Sequence, residues 1–281
     1  MLDKISLGTV QFGLQYGINN TKGQTKKDEV SKILKRCKEV GIMHIDTAAA
    51  YGIAEEVLGE VIQSEGLSDS FQITTKYKGD GMNSLSHSTR ESLQKLRIEK
   101  LHCQMFHSYQ DFKNANDFLK PDSVGKIGVS VYTNEELLET LENSNVRVVQ
   151  CPFNLLDNDS IRGETLKMAK ENGIEIQVRS AFLQGLFFMD RNSLPQSLRV
   201  LKSHLEELDR ICSENKISMS HLALGYCLSK DYIDKVVIGV DSLEQLDLNI
   251  EAMETPLPYP IIEEIDKIKV TKQSLLNPTN W

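Results

Sequence analysis

Short apolar runs alternate along this chain with longer stretches whose apolar residues recur every third or fourth position. The first kind fits strands buried on both faces, the second amphipathic helices. Strands are expected at Ile5–Val10, Met43–Asp46, Phe71–Lys76, His102–His107, Lys126–Ser130, Arg147–Gln150, Ile174–Val178 and Lys235–Ile238. Between them, Asp28–Val40 sets Val30, Ile33, Leu34 and Cys37 on one stripe and stops at Gly41. Further helices are expected from about Ala54, over Leu85–Leu96, behind Asn134 as a cap, over Ile161–Asn172 closed by Gly173, and over Leu243–Ala252. Leu198–Leu228 is helical with a break near Lys216–Ser218, and the segment between His107 and Lys126 gives the weakest helical signal. Such alternation implies parallel strands joined by right-handed crossovers. Eight units in 281 residues favour a closed (β/α)8 TIM barrel over an open doubly wound sheet. No linker, repeat or low-complexity stretch divides the chain, so residues 1–281 read as one domain.

Composition narrows the partners more than the fold. The chain carries 32 basic and 40 acidic residues, a net charge of -8, with no clustered basic segment. That argues against nucleic acid and against an anionic membrane surface. No apolar run approaches the length of a membrane span. Met1-Leu2-Asp3-Lys4 leads into the first strand without a secretory pattern. The five cysteines, Cys37, Cys103, Cys151, Cys212 and Cys227, are odd in number and contain no CxxC pair. They read as buried thiols, with no metal site, and a cytoplasmic location is expected.

In a barrel the chemistry gathers where the strands exit. Asp46, Lys76 and His107 end three successive strands, and Tyr51 follows Asp46 by five residues on the same side. Singly, a strand-end Asp is more often a cap, a Lys a surface partner and a Tyr a core residue. Together they form a specific set. Phenols have solution pKa values near 10 and are sluggish acids at neutral pH. An adjacent ammonium favours the phenolate, a carboxylate fixes that ammonium, and a histidine can orient a substrate oxygen. A phenol so placed can protonate an oxygen that gains negative charge. The matching hydride requires a nicotinamide.

The stretch Asp46-Thr-Ala-x-x-Tyr51-Gly-x-x-Glu-x-x-Leu-Gly59 resembles the signature of the aldo-keto reductase superfamily. Ile73-Thr-Thr-Lys76, Leu101 to His107, Ile127-Gly-Val-Ser130, Val149-Gln-Cys-Pro-Phe-Asn154 and Ile238-Gly to Asn249 extend the resemblance over nearly the whole chain. It implies NAD(P)H-linked reduction of a carbonyl, with Tyr51 as proton donor, Asp46 and Lys76 tuning it and His107 orienting the carbonyl. It also implies a cofactor groove. Ser130 and Gln150 would meet the nicotinamide amide, and Leu183-Gln184-Gly185 would run along the pyrophosphate. Ser242, Gln245 and Asn249 would sit at the adenosine end, with Gly8, Thr9, Arg179, Ser180 and Gly239 along the same groove.

This sequence departs from that pattern at three positions. Val131 stands where many relatives have Asn. Arg179 stands where an aromatic residue usually stacks on the nicotinamide, and a guanidinium can also stack. Asp241 stands where many relatives have an arginine beside the 2′-phosphate of NADP. NADP is the expectation on family grounds, with NAD as the alternative. His44 and His102 are expected to be satisfied barrel histidines, and His87, His204 and His221 to be surface or packing residues. Phe182, Phe187 and Phe188 are candidates for a substrate pocket or for loop packing. The opening Leu7-Gly-Thr-Val-Gln-Phe-Gly with Tyr16-Gly17, and Arg179-Ser-x-Phe-Leu-Gln-Gly185, resemble bacterial members associated with surface sugars, which suggests a sugar-like or nucleotide-sugar substrate within the wider class of small carbonyl or sugar-type compounds. Two alternatives stand beside the reductase. One is a cofactor-sensing partner protein, as in the beta subunits of potassium channels. The other is an aldolase-type barrel using Lys76 as a Schiff base, which an ion pair with Asp46 would disfavour. Substrate identity and oligomeric state are left open.

Overall fold

The computed structural model describes residues 1–18, 20, 22–79, 84–115 and 118–281. Eight strands, β1 (Ile5–Gly8), β2 (His44–Asp46), β3 (Gln72–Tyr77), β4 (Leu101–Phe106), β5 (Val124–Ser130), β6 (Val146–Pro152), β7 (Glu175–Arg179) and β8 (Lys235–Gly239), pair in sequence order. Every pairing is parallel, and β8 returns to β1 to close a barrel. The helices are α1 (Val10–Gly13), α2 (Lys27–Val40), α3 (Ala54–Ser64), α4 (Leu85–Leu96), α5 (Tyr109–Asn114), α6 (Asn134–Leu141), α7 (Asp159–Glu171), α8 (Lys202–Asn215), α9 (Met219–Leu228), α10 (Leu243–Ala252) and α11 (Tyr259–Asp266). This is the (β/α)8 TIM barrel that the alternation implies.

Helix placement follows the apolar stripes. α2 buries Val30, Ile33, Leu34 and Cys37, and Gly41 ends it in the left-handed region at φ 82°. α3 and α4 approach so closely at Gly59 that a Cβ there would lie 2.1 Å from the Lys95 carbonyl oxygen. α5 is the weakest helix, as its pattern suggests, and none of its residues is buried. The break in the Leu198–Leu228 region falls at Lys216, whose left-handed backbone (φ 55°) separates α8 from α9.

Some boundaries differ from the sequence reading, for local reasons. β1 stops at Gly8, not Val10, because the Thr9 amide and hydroxyl both turn to the Asp46 carbonyl oxygen, at 3.0 and 3.1 Å. β4 ends at Phe106, leaving His107 one residue past the strand with its amide donating to the Tyr77 carbonyl at 2.7 Å. The cap of α6 is Thr133 rather than Asn134. Its hydroxyl accepts from the Glu136 amide while the Glu136 carboxylate accepts from the Thr133 amide. Asn134 instead donates from its side chain to the Ile161 carbonyl at 2.8 Å, tying α6 to α7.

Inside the barrel, Cys103, Met105 and Val148 form a small apolar cluster separate from the main core between barrel and helices. Gly128 leaves room for it, since a Cβ there would lie 3.0 Å from both Cys103 Sγ and Met105 Cε. The strand-entry end is polar. Lys126 pairs with Glu175 at 2.5 Å, and the rings of His44 and His102 meet edge-on at 5.3 Å. His102 is not a satisfied histidine. Its Nε2 has no hydrogen-bond partner and stands 3.7 Å from Glu175 Oε2. Burial, followed by the Lys235 ammonium, pushes the His44 pKa down to about 4.

Candidate active site

Asp46, Tyr51, Lys76 and His107 converge at the strand-exit rim. The Ala49 amide donates to the Lys76 carbonyl, and the Tyr51 amide to Ala48, so the chain folds back over the end of β3 just after β2. Two glycines permit that turn. Gly52 has φ 58°, and a Cβ on Gly13 would overlap the Tyr51 carbonyl oxygen at 1.8 Å.

Lys76 is 2 % exposed. Its ammonium contacts the Asp46 carboxylate, lies 3.3 Å from the Tyr51 hydroxyl and sits 5.2 Å from the centre of the Tyr51 ring. Burial alone would push the Lys76 pKa down, but the Asp46 carboxylate and the Tyr51 phenol together hold it above its ordinary value. The other Asp46 oxygen accepts from Gln150 Nε2 at 2.7 Å. The His107 ring meets the Tyr51 ring edge-on at 5.7 Å. Burial, then the Lys76 ammonium, lowers the His107 pKa to about 3, so the imidazole is neutral near pH 7.

A cleft of about 400 Å³ opens beside this group. Asp46, Tyr51, Gln150 and Arg179 line its inner end, with Gly8, Thr9, Ser180, Gln184 and Gly185 along it and Gly239, Asp241, Gln245 and Asn249 at the outer end. Among the residues expected in the groove, three stand back from it. Ser130 is buried beside Gln150 in the strand register, Leu183 belongs to the core, and Ser242 caps α10 by accepting from the Gln245 amide. Phe182 and Phe188 line the cleft, whereas Phe187 is buried in the core.

The Arg179 guanidinium lies 4.2 Å from the centre of the Tyr132 ring and makes no ion pair among the described residues. Beyond it, Ser180, Leu183 and Gln184 all adopt left-handed backbone, at φ 62°, 46° and 54°. Such conformations are strained for residues with side chains, and they tend to cluster at functional loops. A second loop, between α1 and α2, crosses the cleft. Gln184 Nε2 donates to the Tyr16 hydroxyl at 2.9 Å, the Ile18 amide to the Gln184 carbonyl at 3.2 Å, and Asn20 Nδ2 to Asp241 Oδ1 at 3.3 Å.

The model of the aldo/keto reductase family matches residues 4–270. The chain belongs to the aldo/keto reductase family. Within this family it resembles an uncharacterized oxidoreductase of Bacillus subtilis, 23% identical over 89% of this chain and 90% of the relative. A probable voltage-gated potassium channel subunit beta of Arabidopsis thaliana is 22% identical, over 96% and 94% of the two chains. An NADH-specific methylglyoxal reductase of Escherichia coli is 22% identical, over 91% of each. Among solved structures, an aldo-keto reductase from Bacillus halodurans in its holo form superposes with a TM-score of 0.71 and 21% identity, covering 95% of this chain and 92% of that one. As an aldo/keto reductase, the chain is an NAD(P)-dependent oxidoreductase of the carbonyl–alcohol class. None of its described helices is long and apolar enough to cross a membrane.

The cleft fits a dinucleotide. Gln150 spends both amide hydrogens inside the protein, on Asp46 and on Gln177, and its Oε1 is buried without a hydrogen-bond partner. That atom is an acceptor waiting for a donor of the carboxamide kind. Tyr132, Asn20 and Leu248 also border the site, and the sequence reading passed over them. Asn20 lies in a polar glycine-flanked loop and Leu248 on a helix face, so neither carried a signal. Tyr132 follows Val131 directly, and the departure at that position pointed to the right neighbourhood.

Proposed function

We propose that the chain reduces a small aldehyde, ketone or sugar-like carbonyl with NAD(P)H, residues 1–281 acting as one unit, with Tyr51 as the proton donor. The observation that carries this reading is the buried Asp46–Lys76 pair, with the Lys76 ammonium 3.3 Å from the Tyr51 hydroxyl. Bound nicotinamide supplies the hydride, which no side chain can. The Tyr51 hydroxyl gives its proton to the carbonyl oxygen as that oxygen gains negative charge. The Lys76 ammonium stabilises the oxygen left on Tyr51, and Asp46 holds Lys76 in place. His107 is neutral, so its ring can donate to the carbonyl oxygen without adding a positive charge. Gln150, Arg179 and the Ser180–Gly185 loop would hold the dinucleotide, with Phe182 and Phe188 forming an apolar wall beside the site.

The same ion pair counts against Schiff-base chemistry on Lys76, because a paired ammonium is a poor nucleophile. Tyr51→Phe tests the proposal. Its expected effect is a loss of carbonyl reduction of about 10²-fold or more, with dinucleotide affinity by fluorescence titration almost unchanged. A variant that keeps full activity refutes the role of Tyr51. Dinucleotide binding by the parent without turnover on a broad carbonyl panel would favour a partner-protein reading instead.

A further inference from the structure

The cleft is long, and its two ends differ in charge. The reacting group sits at the end lined by Tyr51, Gln150 and Arg179, so a dinucleotide with its nicotinamide there extends its adenosine toward Asp241, Gln245, Leu248 and Asn249. No lysine or arginine lines that outer end, and Arg179 is the one cation lining the cleft among the described residues. The N-terminus of α10 points at the same place. A free helix N-terminus attracts phosphate through its unpaired amides, but this one is partly occupied. The Leu243 amide donates to Glu29 Oε1 at 2.8 Å, the Asp241 amide to Gln245 Oε1 at 2.8 Å, and the Gln245 amide to the Ser242 hydroxyl at 3.3 Å. The bond from Leu243 holds the Glu29 carboxyl below its ordinary pKa, so α10 is capped by a resident anion from α2. Asp241 stands beside it, half-buried and held by Asn20 of the crossing loop.

We propose that this chain selects NADH over NADPH, with Asp241 as the residue that determines the choice and Glu29 supporting it from the N-terminus of α10. The proposal rests on the reductase reading above. A ribose 2′-hydroxyl is a donor, and Asp241 is an acceptor at the adenosine end. A 2′-phosphate would instead meet the Asp241 carboxylate at an end of the cleft without a lining cation, where like charges repel, while Glu29, paired with Lys32 at 3.2 Å, occupies one amide of α10 from behind. Lys32 pairs with Glu29 at 3.2 Å, and Lys22, on the crossing loop, reaches both carboxylates with its field. Lys22 is exposed, and its own amide is used in the turn around Asn20. On this proposal NADH takes the place of the NADP expected on family grounds.

The test is direct titration of the full chain with NADH and with NADPH, read by nucleotide fluorescence so that turnover is not needed. NADH is expected to bind at least about ten-fold more tightly. Rising salt should narrow the gap, because exposed charge repulsion is screened over about 10 Å at 0.1 M. Asp241→Asn and the double variant Asp241→Asn, Glu29→Gln should bring the two affinities together, mainly by tightening NADPH. Asp241→Ser serves as a second variant should the amide disturb the loop, with circular dichroism reporting the fold. Equal or tighter NADPH binding by the parent overturns the proposal and leaves the reductase reading standing. An unchanged preference in well-folded variants also overturns it. Binding of neither nucleotide overturns the reductase reading and this one with it.

Discussion

At the scale of single residues, the buried Lys76–Asp46 pair is the most costly feature to disturb. Both side chains are almost fully enclosed, at 2 and 4 % exposure, and each is the other's compensation. Removing one leaves a buried charge alone, which destabilises by about 3–5 kcal/mol. Lys76→Met and Asp46→Asn should therefore each lower the urea midpoint substantially. The double variant should recover part of the loss, because neither charge is then stranded. Equal additive losses in a double-mutant cycle would contradict this coupling. The pair itself was legible in the sequence, as strand-end residues on neighbouring strands. The partner of Asp46 across the barrel was not, because Gln150 lies 104 positions along the chain and only closure of the barrel brings its amide within 2.7 Å.

At the scale of elements, the placement of Tyr51 depends on contact between the loops after β1 and β2. Gly13 ends α1, and its missing side chain lets the Tyr51 carbonyl pass where a Cβ would stand at 1.8 Å. Gly13→Ala is expected to push the Tyr51 turn away from Lys76 and cut kcat by about ten-fold or more, since small misplacements at a reacting group are expensive. Dinucleotide affinity should change less, and near-normal kcat would show that the turn can yield. Sequence pattern located the strands and most helices here because buried strands and amphipathic stripes have distinct periods. It misplaced the end of β1 and the cap of α6. Those boundaries are set by single hydrogen bonds, from Thr9 to Asp46 and between Thr133 and Glu136, which periodicity does not register.

At the scale of the whole molecule, pH acts through partly buried histidines. The pKa of His107 is lowered to about 3 and that of His44 to about 4, from an unfolded value near 6.5. In the unfolded chain both bind protons that the folded state refuses. Their contribution to stability is therefore complete above pH 6.5 and declines as pH falls toward 4 and 3. Burial alone would raise the Glu175 pKa, but the nearby His102 ring and the paired Lys126 ammonium hold it below the ordinary carboxylate range, so it stays ionised over the upper part of that window. Between pH 7 and pH 5 the melting temperature should drop by a few degrees. His44→Gln should flatten that slope, and a slope unchanged in the variant would assign the effect elsewhere. The barrel and its rim were legible from the sequence as a whole, whereas this polar floor was not. His44, His102, Lys126 and Glu175 come from four separate strands and look unremarkable one by one.

The polar floor and the rim are joined by side chains. Gln177 gives its amide hydrogen to Glu175 at 2.9 Å and offers its oxygen to Gln150 at 3.2 Å, and Gln150 also donates to Asp46. Read from the floor upward, each amide has only one way round. A carboxylate at the closed end sets the first, the first and the Asp46 carboxylate together set the second, and the oxygen of the second must turn away from both. The barrel thus works as a compass housing. It transmits a direction along its axis rather than a charge, and the amide beside the reacting group is oriented by anions at both ends, Glu175 on the floor and Asp46 at the rim.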